Sequence, residues 1–432
     1  MQGMDRGSEA VARVRRRLLP LMVVCFFIAF LDRVNVGFAA LQMNEDLGFS
    51  ARIYGLGAGI FFIGYFLFEV PSNLILHRVG ARRWIARIMI TWGLIAAGMA
   101  FVQGTTSFYV MRFLLGVAEA GFFPGMIYYI SLWFPRRERA RATALFILGL
   151  PISVLLGAPL SAALLSLDGW GGYQGWQWLF VIEGIPAVIL GFVVLVYLTD
   201  RPSDARWLTT AQREWLVTKL AEEEAATASI RRFSVAQVLR DGKVLTLALA
   251  FLCNVVAIYG ITMWLPLIVK SAGDMTNLQI GLVTTLPYIC AAVAMVANAR
   301  HSDRAGERKL HILVSALIGA AGFLLAAAAA SPYVGLLGIC IGAAGIWGAN
   351  TIFWTLPASF LTGAAAAAGI GLINAVGNLG GFVGPYLIGW IRDSFGGFSP
   401  AMFCLAGFLA THGVVTYFFL KRADERGEIV QA

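Results

Sequence analysis

The chain has 432 residues, of which 59% are hydrophobic and only 13% charged, and its mean hydropathy is +0.76. That balance excludes an ordinary soluble domain, which is nearer half apolar and a quarter charged. The formal net charge of +9 invites a nucleic-acid reading, but the placement of the basic residues argues against it.

Apolar windows of about 20 residues, each able to cross roughly 30 Å of hydrocarbon, recur along the whole chain. In chain order the predicted spans are 18–40, 53–76, 84–102, 107–132, 140–166, 177–198, 244–270, 278–298, 310–330, 333–356, 366–391 and 398–420. They are uniformly apolar rather than alternating, which selects helices over barrel strands, and a helix satisfies its own backbone inside lipid. The start, "VARVRRRLLPLMVVCFFIAF", is basic, but its apolar run continues too far for a cleaved signal and no small-residue cleavage site follows. Cys25, Cys253, Cys290, Cys340 and Cys404 all lie in apolar segments without paired spacing, so they read as packing residues. The four histidines are scattered and predict no metal site; no cofactor is expected.

The basic residues alternate with the spans. Arg13, Arg15, Arg16 and Arg17 precede the first; Arg78, Arg82 and Arg83 follow the second; Arg136, Arg137, Arg139 and Arg141 follow the fourth. Arg300, Arg304, Arg308 and Lys309 follow the eighth, and Lys421 and Arg422 the last, while the intervening loops are neutral or acidic. The positive-inside rule therefore predicts cytoplasmic N and C termini, with anionic lipid headgroups as natural contacts and no nucleic acid.

A polar segment, 200–243, separates a first six-helix bundle (1–199) from a second (244–432). It contains "LTTAQREWLVTKLAEEEAA", a predicted helix capped by Thr209 or Thr210, and reads as a cytoplasmic tether. The halves echo each other: "HRVGARR" (77–83) matches "DRAGERK" (303–309), with Arg78 and Arg304 separated by 226 residues, and Pro159 and Pro385 share that offset. Two motifs with one offset indicate an internal duplication. The predicted fold is thus all-α, twelve transmembrane helices in two parallel six-helix repeats, with substrate near the midplane between them.

Charges inside the spans need a reason. Asp32 and Arg33 interrupt "FIAFLDRVNVGF" (27–38), and Arg112 and Glu119 lie within the fourth span. A charge at the centre of a bilayer costs about 2.5–3.5 kcal/mol even on the insertion scale. Arg112 and Glu119 are seven residues apart, nearly two turns, and so share a helix face. Asp–Arg and Glu–Arg pairing is the cheapest arrangement, and the pairs serve either as a lock between helices or as exchangeable partners in a carrier. At the 226 offset Asp32 and Arg33 correspond to Ile258 and Tyr259, and Arg112 and Glu119 to Gly338 and Gly345, so charge handling is predicted in the first half only.

At "ARHSDRAGERK" and, with His77 in the acidic position, "NLILHRVGARR", the sequence resembles the major facilitator superfamily. "FLDRVNVGFA", "GIFFIGYFLFEVPSNLIL" and "RFLLGVAEAGFFPGMIYYISLWFPRRERARA" are similar to its anion:cation symporter family, which imports organic acid anions with protons. The resemblance implies that the first and fourth helices line a central cavity, with Asp32 and Glu119 as proton-coupling acids and Arg33 and Arg112 as anion contacts. Within that pattern Arg33 is the expected carboxylate ligand and Arg112 the expected partner of Glu119. Asp32 and Arg33, about 100° apart on their helix, are expected to enter the same cavity. Tyr65 is an implied substrate contact, and a packing hydroxyl is the alternative. Asn374 and Asn378, one turn apart, are candidate donors and acceptors in the second half; Asn254, Asn350, Trp354 and Ser359 are weaker candidates. Arg78, Gly80, Arg82, Arg83, Asp303, Arg304, Gly306 and Arg308 form the implied conformational motif of the loops.

These observations predict a proton-coupled symporter of the bacterial inner membrane, importing a tartrate-like hydroxy acid, a sugar acid or an aromatic acid, and working as a monomer. An exchanger or uniporter of the same fold is the alternative. An enzyme is not expected, since no nucleophile–base pair is evident, and no phosphate-binding G-x-x-x-x-G-K-[ST] motif is present to support drive by ATP.

Overall fold

Every predicted span falls on helix in the computed structural model, which describes residues 2–228, 241–357 and 363–425. Helix α1 (Gln2–Asp46) carries the first span, α2 (Ala51–Val79) the second and α3 (Ala81–Gly98) the third. The fourth is shared by α4 (Thr105–Glu119) and α5 (Phe122–Trp133), the fifth by α6 (Arg136–Ile147) and α7 (Gly149–Leu164), and α8 (Gly175–Tyr197) is the sixth. The polar segment carries α9 (Thr210–Ala228). The second half comprises α10 (Gly242–Lys270), α11 (Asn277–Ala305), α12 (Lys309–Ala328), α13 (Pro332–Phe353), α14 (Gly363–Asn378), α15 (Gly380–Phe395) and α16 (Ser399–Glu425). Among the described residues, eleven stretches are long and apolar enough to cross a membrane. The predicted span 366–391 is covered instead by α14 and α15, two shorter helices meeting at Leu379.

Helix ends follow local chemistry. Ser50 caps α2 by accepting from the Ile53 amide at 3.2 Å. Thr276 and Gln279 form a reciprocal capping box at the start of α11. Thr209 and Gln212 exchange the same pair of bonds at 3.3 Å, so Thr209 is the cap predicted for α9. The polar segment is more than a tether, however. Trp215 of α9 lies against Gly7 of α1, where a Cβ would stand 2.5 Å from the indole. Trp207 stacks on Trp133 with centroids 5.3 Å apart, and Arg17 lies over the rings of Tyr197 and Trp207.

Small residues set the closest helix contacts, as expected where lipid removes the hydrophobic incentive to associate. In α12 and α13, Gly319 and Gly345 leave backbones so near that a Cβ on Gly345 would lie 2.3 Å from the Gly319 Cα. All five cysteines are free. The histidines are less scattered than their sequence positions imply: His301 and His311 approach to 2.7 Å across the α11–α12 turn, and His311 meets Glu307 at 2.9 Å.

The halves meet at one end. The Tyr54 hydroxyl donates to the Met263 carbonyl at 2.7 Å, Lys270 Nζ donates to the Leu41 carbonyl at 2.8 Å, and the Ala51 and Arg52 amides donate to Asp393. Gly55 and Gly59 of α2 face the backbone of α15, with Cβ positions 2.5 Å from the Pro385 oxygen and 2.7 Å from the Phe382 oxygen. All of these lie away from the basic loops. Toward the basic end of α2, Leu67, Val70 and Leu74 are exposed. Gly59→Leu is therefore expected to pry the closed end apart. Spin labels at Glu45 and Ser271 should move farther apart in that variant than in the wild type; an unchanged distance would contradict the packing.

Candidate functional site

The site begins with a break in α4. Glu119 is its last residue; Ala120 leaves helical geometry and Gly121, with φ of 87°, occupies the left-handed region before α5 starts. A side chain at Gly121 would be strained in that conformation, and its Cβ would meet Ser72 Oγ at 2.3 Å. Gly116 brings α4 backbone-to-backbone with α2, since a Cβ there would stand 2.0 Å from the Phe61 oxygen. A broken helix at membrane depth is tolerated where protein covers it, and Glu119 is 1% exposed.

Arg33 and Glu119 form a salt bridge that joins α1 to this break. The side chain of Arg33 keeps 16% of its surface accessible. Its guanidinium lies 5.2 Å from the Tyr65 ring centroid and 5.5 Å from that of Phe61, and its second amino group points at the Tyr259 hydroxyl at 3.5 Å. Tyr259 comes from α10, in the other half, and is the residue 226 positions on from Arg33. Duplicated positions that touch each other lie at the axis relating the repeats.

Arg112 behaves differently from expectation. It is fully buried, donates to the Gly57 and Ala58 carbonyls of α2 at 3.2 and 3.1 Å, and lies 5.1 Å from the Phe61 ring centroid. The partner of Glu119 is Arg33, and Arg112 braces α4 against α2, so in this conformation it is not available to an anion. Its Nη1 has no partner, but the group is sealed from the surface where α2 and α4 pack closely at Gly57 and Gly64.

Asp32 also departs from expectation. It does not share a cavity with Arg33; the step of about 100° per residue turns it into the first bundle, where Oδ2 accepts from Trp92 Nε1 at 2.7 Å and only 1% of the residue is exposed. Two further acids were not singled out from the sequence, although each interrupts an apolar span. Glu69 lies one turn beyond Tyr65 on α2, within electrostatic range of Arg33. Glu183 of α8 is 2% exposed and accepts from Ser161 Oγ at 2.7 Å.

In the second half Asn374 and Asn378 sit one turn apart on α14, both half-buried, and no hydrogen bond among the described residues ties them to the Arg33 group. Asn254 donates to Asn350 at 3.1 Å, a contact between α10 and α13, and Trp354 packs edge-on against Phe251. Ser359 lies outside the described residues. In the loops, Gly80 (φ 97°) turns α2 into α3, and Asp200 caps α3 through the Arg82 amide at 2.9 Å while meeting its guanidinium at 3.5 Å. Asp200 is the acid that meets Arg82, and the His77 ring lies tilted against that of Tyr128, centroids 4.1 Å apart. Gly306 (φ 62°) makes the equivalent turn between α11 and α12, where Glu307 caps the Leu310 amide. Arg78, Arg83, Asp303 and Arg304 are exposed there, and Arg308 is half-buried.

The ion pair makes a stability prediction. Arg33→Ala leaves a buried, uncompensated carboxylate and should cost about 3–5 kcal/mol. Adding Glu119→Gln should restore much of that loss. Thermal unfolding in detergent measures both, and a double variant no more stable than Arg33→Ala alone would contradict the pairing.

Comparison with known proteins places this geometry. The family model described as Major Facilitator Superfamily matches residues 22–385 and 274–431. A protein of Agrobacterium vitis named as a tartrate transporter is 50% identical over 98% of this chain and 97% of its own. A quinolone resistance transporter of Acinetobacter baumannii is 42% identical over 98% of each. Among solved structures, a bacterial homologue of the human lysosomal transporter Spinster, in an inward-facing and unoccupied conformation, aligns with a TM-score of 0.78 at 16% identity, covering 94% of this chain and 98% of that one. The chain belongs to the Major Facilitator Superfamily, with the all-α fold of that family, and is a multi-pass inner-membrane transporter of a small molecule rather than an enzyme.

Proposed function

We propose that this chain is a proton-coupled symporter that imports an organic carboxylate, with a tartrate-like hydroxy acid as the first substrate to test. The observation that carries the proposal is the Arg33–Glu119 ion pair, ringed by Phe61, Tyr65 and Tyr259 at the junction of the two halves. Arg33 is a partly accessible guanidinium with a partner it can exchange. A substrate carboxylate can replace Glu119, which holds the guanidinium through Oε1 alone, and can grip it with both oxygens. Once Arg33 turns to the substrate, Glu119 is left in a low-dielectric break without its cation, and the neutral, protonated form is favoured. Anion binding and protonation are then one linked event.

The remaining assignments follow from this. Asp32 is the second coupling acid, Tyr65 a substrate contact, and Asn374 and Asn378 are donors and acceptors for the substrate's hydroxyls from the second half. Residues 1–199 and 244–432 rock as two bundles, joined by 200–243. With both termini cytoplasmic, the end closed by α2, α10 and α15 is periplasmic and the conformation is inward-open. Turns at Gly80 and Gly306 hold the basic loop motifs that brace the cytoplasmic ends. The chain works as a monomer among anionic lipids. The similarity to a tartrate transporter supports a hydroxy-acid substrate. The quinolone resistance relative is compatible with the same anion site, because quinolone antibiotics also carry a carboxylate on an aromatic ring.

Proteoliposomes with an alkaline interior test the proposal. Labelled tartrate, or another acid from a carboxylate panel, should accumulate above equilibrium, and collapsing the pH gradient should abolish accumulation. Uptake indifferent to the gradient would instead establish exchange or uniport. Asp32→Asn should lose accumulation while retaining substrate exchange; normal concentrative uptake by that variant would remove Asp32 from the coupling scheme.

A further inference from the structure

Four buried acids lie within the helices of the first half, Asp32, Glu69, Glu119 and Glu183, and the arginines that act on them are Arg33 and Arg112. Arg33 is taken by Glu119, and Arg112 by backbone carbonyls. Asp32 and Glu183 therefore have no cation. They lie within electrostatic range of each other inside the bundle formed by α1, α3, α7 and α8.

Each carboxyl group is half satisfied. Asp32 Oδ2 accepts from Trp92 and Glu183 Oε1 from Ser161, both at 2.7 Å, but Asp32 Oδ1 and Glu183 Oε2 are buried without a partner. Asn35, three residues after Asp32 on the same face of α1, is 1% exposed; its side chain faces Glu183, and its Nδ2 is also unpartnered. The groups facing the pair are thus Asp32 and Asn35 from α1, Trp92 from α3, Ser161 from α7 and Glu183 from α8, with Glu119 acting on Asp32 from α4. Among the described residues no guanidinium or ammonium forms an ion pair with either carboxyl.

Two ionised carboxylates in such a setting would each bear a desolvation penalty of several kcal/mol and would repel one another. One proton removes a charge and adds a donor beside the orphaned Asp32 Oδ1, while Asn35 Nδ2 is the unpartnered donor on the Glu183 side. We propose that Asp32 and Glu183 hold one proton between them as a buried acid pair, a proton site separate from the Arg33–Glu119 pair. The proton arrives from water, forms an O–H bond on one carboxyl, and leaves by breaking that bond; no other reactant is needed. Ser153 lies on α7 eight residues before Ser161, with a fully buried and unpartnered hydroxyl. That places a further polar group about two turns from the pair toward the basic end.

The protonation of the pair rests on its burial, its unpartnered oxygens and the electrostatic coupling of Asp32 to Glu183, and its use in transport rests on the proposed function. Infrared spectroscopy of the purified full-length protein at neutral pH tests the first. The wild type should show the carbonyl stretch of a buried carboxylic acid, moving down in heavy water. Asp32→Asn and Glu183→Gln should each shift that band, and the double variant should lose it. A wild type without the band, or a double variant that retains it in full, overturns the proposal. Should the double variant fail to fold, Ser161→Ala removes only the donor to Glu183 and must shift the wild-type band; an unshifted band is equally fatal. Uptake found indifferent to a pH gradient would overturn the coupling scheme and leave the band in place, so the two failures are distinguishable.

Discussion

An ionised Glu119 depends on Arg33 where it lies. It is the last residue of a helix broken inside the membrane, 1% exposed and lodged in a packed junction. A charge there needs a cation, and the one provided comes from α1 rather than from its own helix. Much of the surrounding architecture serves that contact. Gly116 lets α4 press on α2, Gly121 takes the left-handed turn that ends α4, and Arg112 donates to α2 carbonyls rather than to the carboxylate.

Because Arg33 also meets Tyr259 from the duplicated position, the ion pair stands at the symmetry axis of the two halves. Any rocking of the halves changes what surrounds it. Asp32, one residue away, is turned into the first bundle toward Trp92. Adjacent residues on one helix thus face different surroundings: Arg33 the junction of the halves, and Asp32 the buried interior of the first bundle.

Much of this was legible in the sequence because lipid leaves few alternatives. The spans, a helix cap at Thr209 or Thr210, and the 226-residue repeat follow from hydropathy, capping chemistry and spacing. Partner choice was not legible. The seven-residue spacing put Arg112 and Glu119 on one face, but helix periodicity says nothing of Gly57, Gly64 and Gly116, whose close approach delivers α2 carbonyls to Arg112. It also cannot foresee that α4 ends at Glu119, since the break depends on how Gly121 meets Ser72. Glu69 and Glu183 are visible as charges in apolar spans, but spacing along the chain does not show which side chains face them. The lack of a cation is what sets Glu183 apart in three dimensions.

The central claim is that substrate and Glu119 compete for Arg33, so binding an anion should draw in a proton. Calorimetric titration of the purified protein with its carboxylate substrate, in buffers of different ionisation enthalpy, counts that proton directly. The account predicts net proton uptake on binding to the wild type and none on binding to Glu119→Gln. Binding to the wild type with no proton uptake at any pH would contradict it.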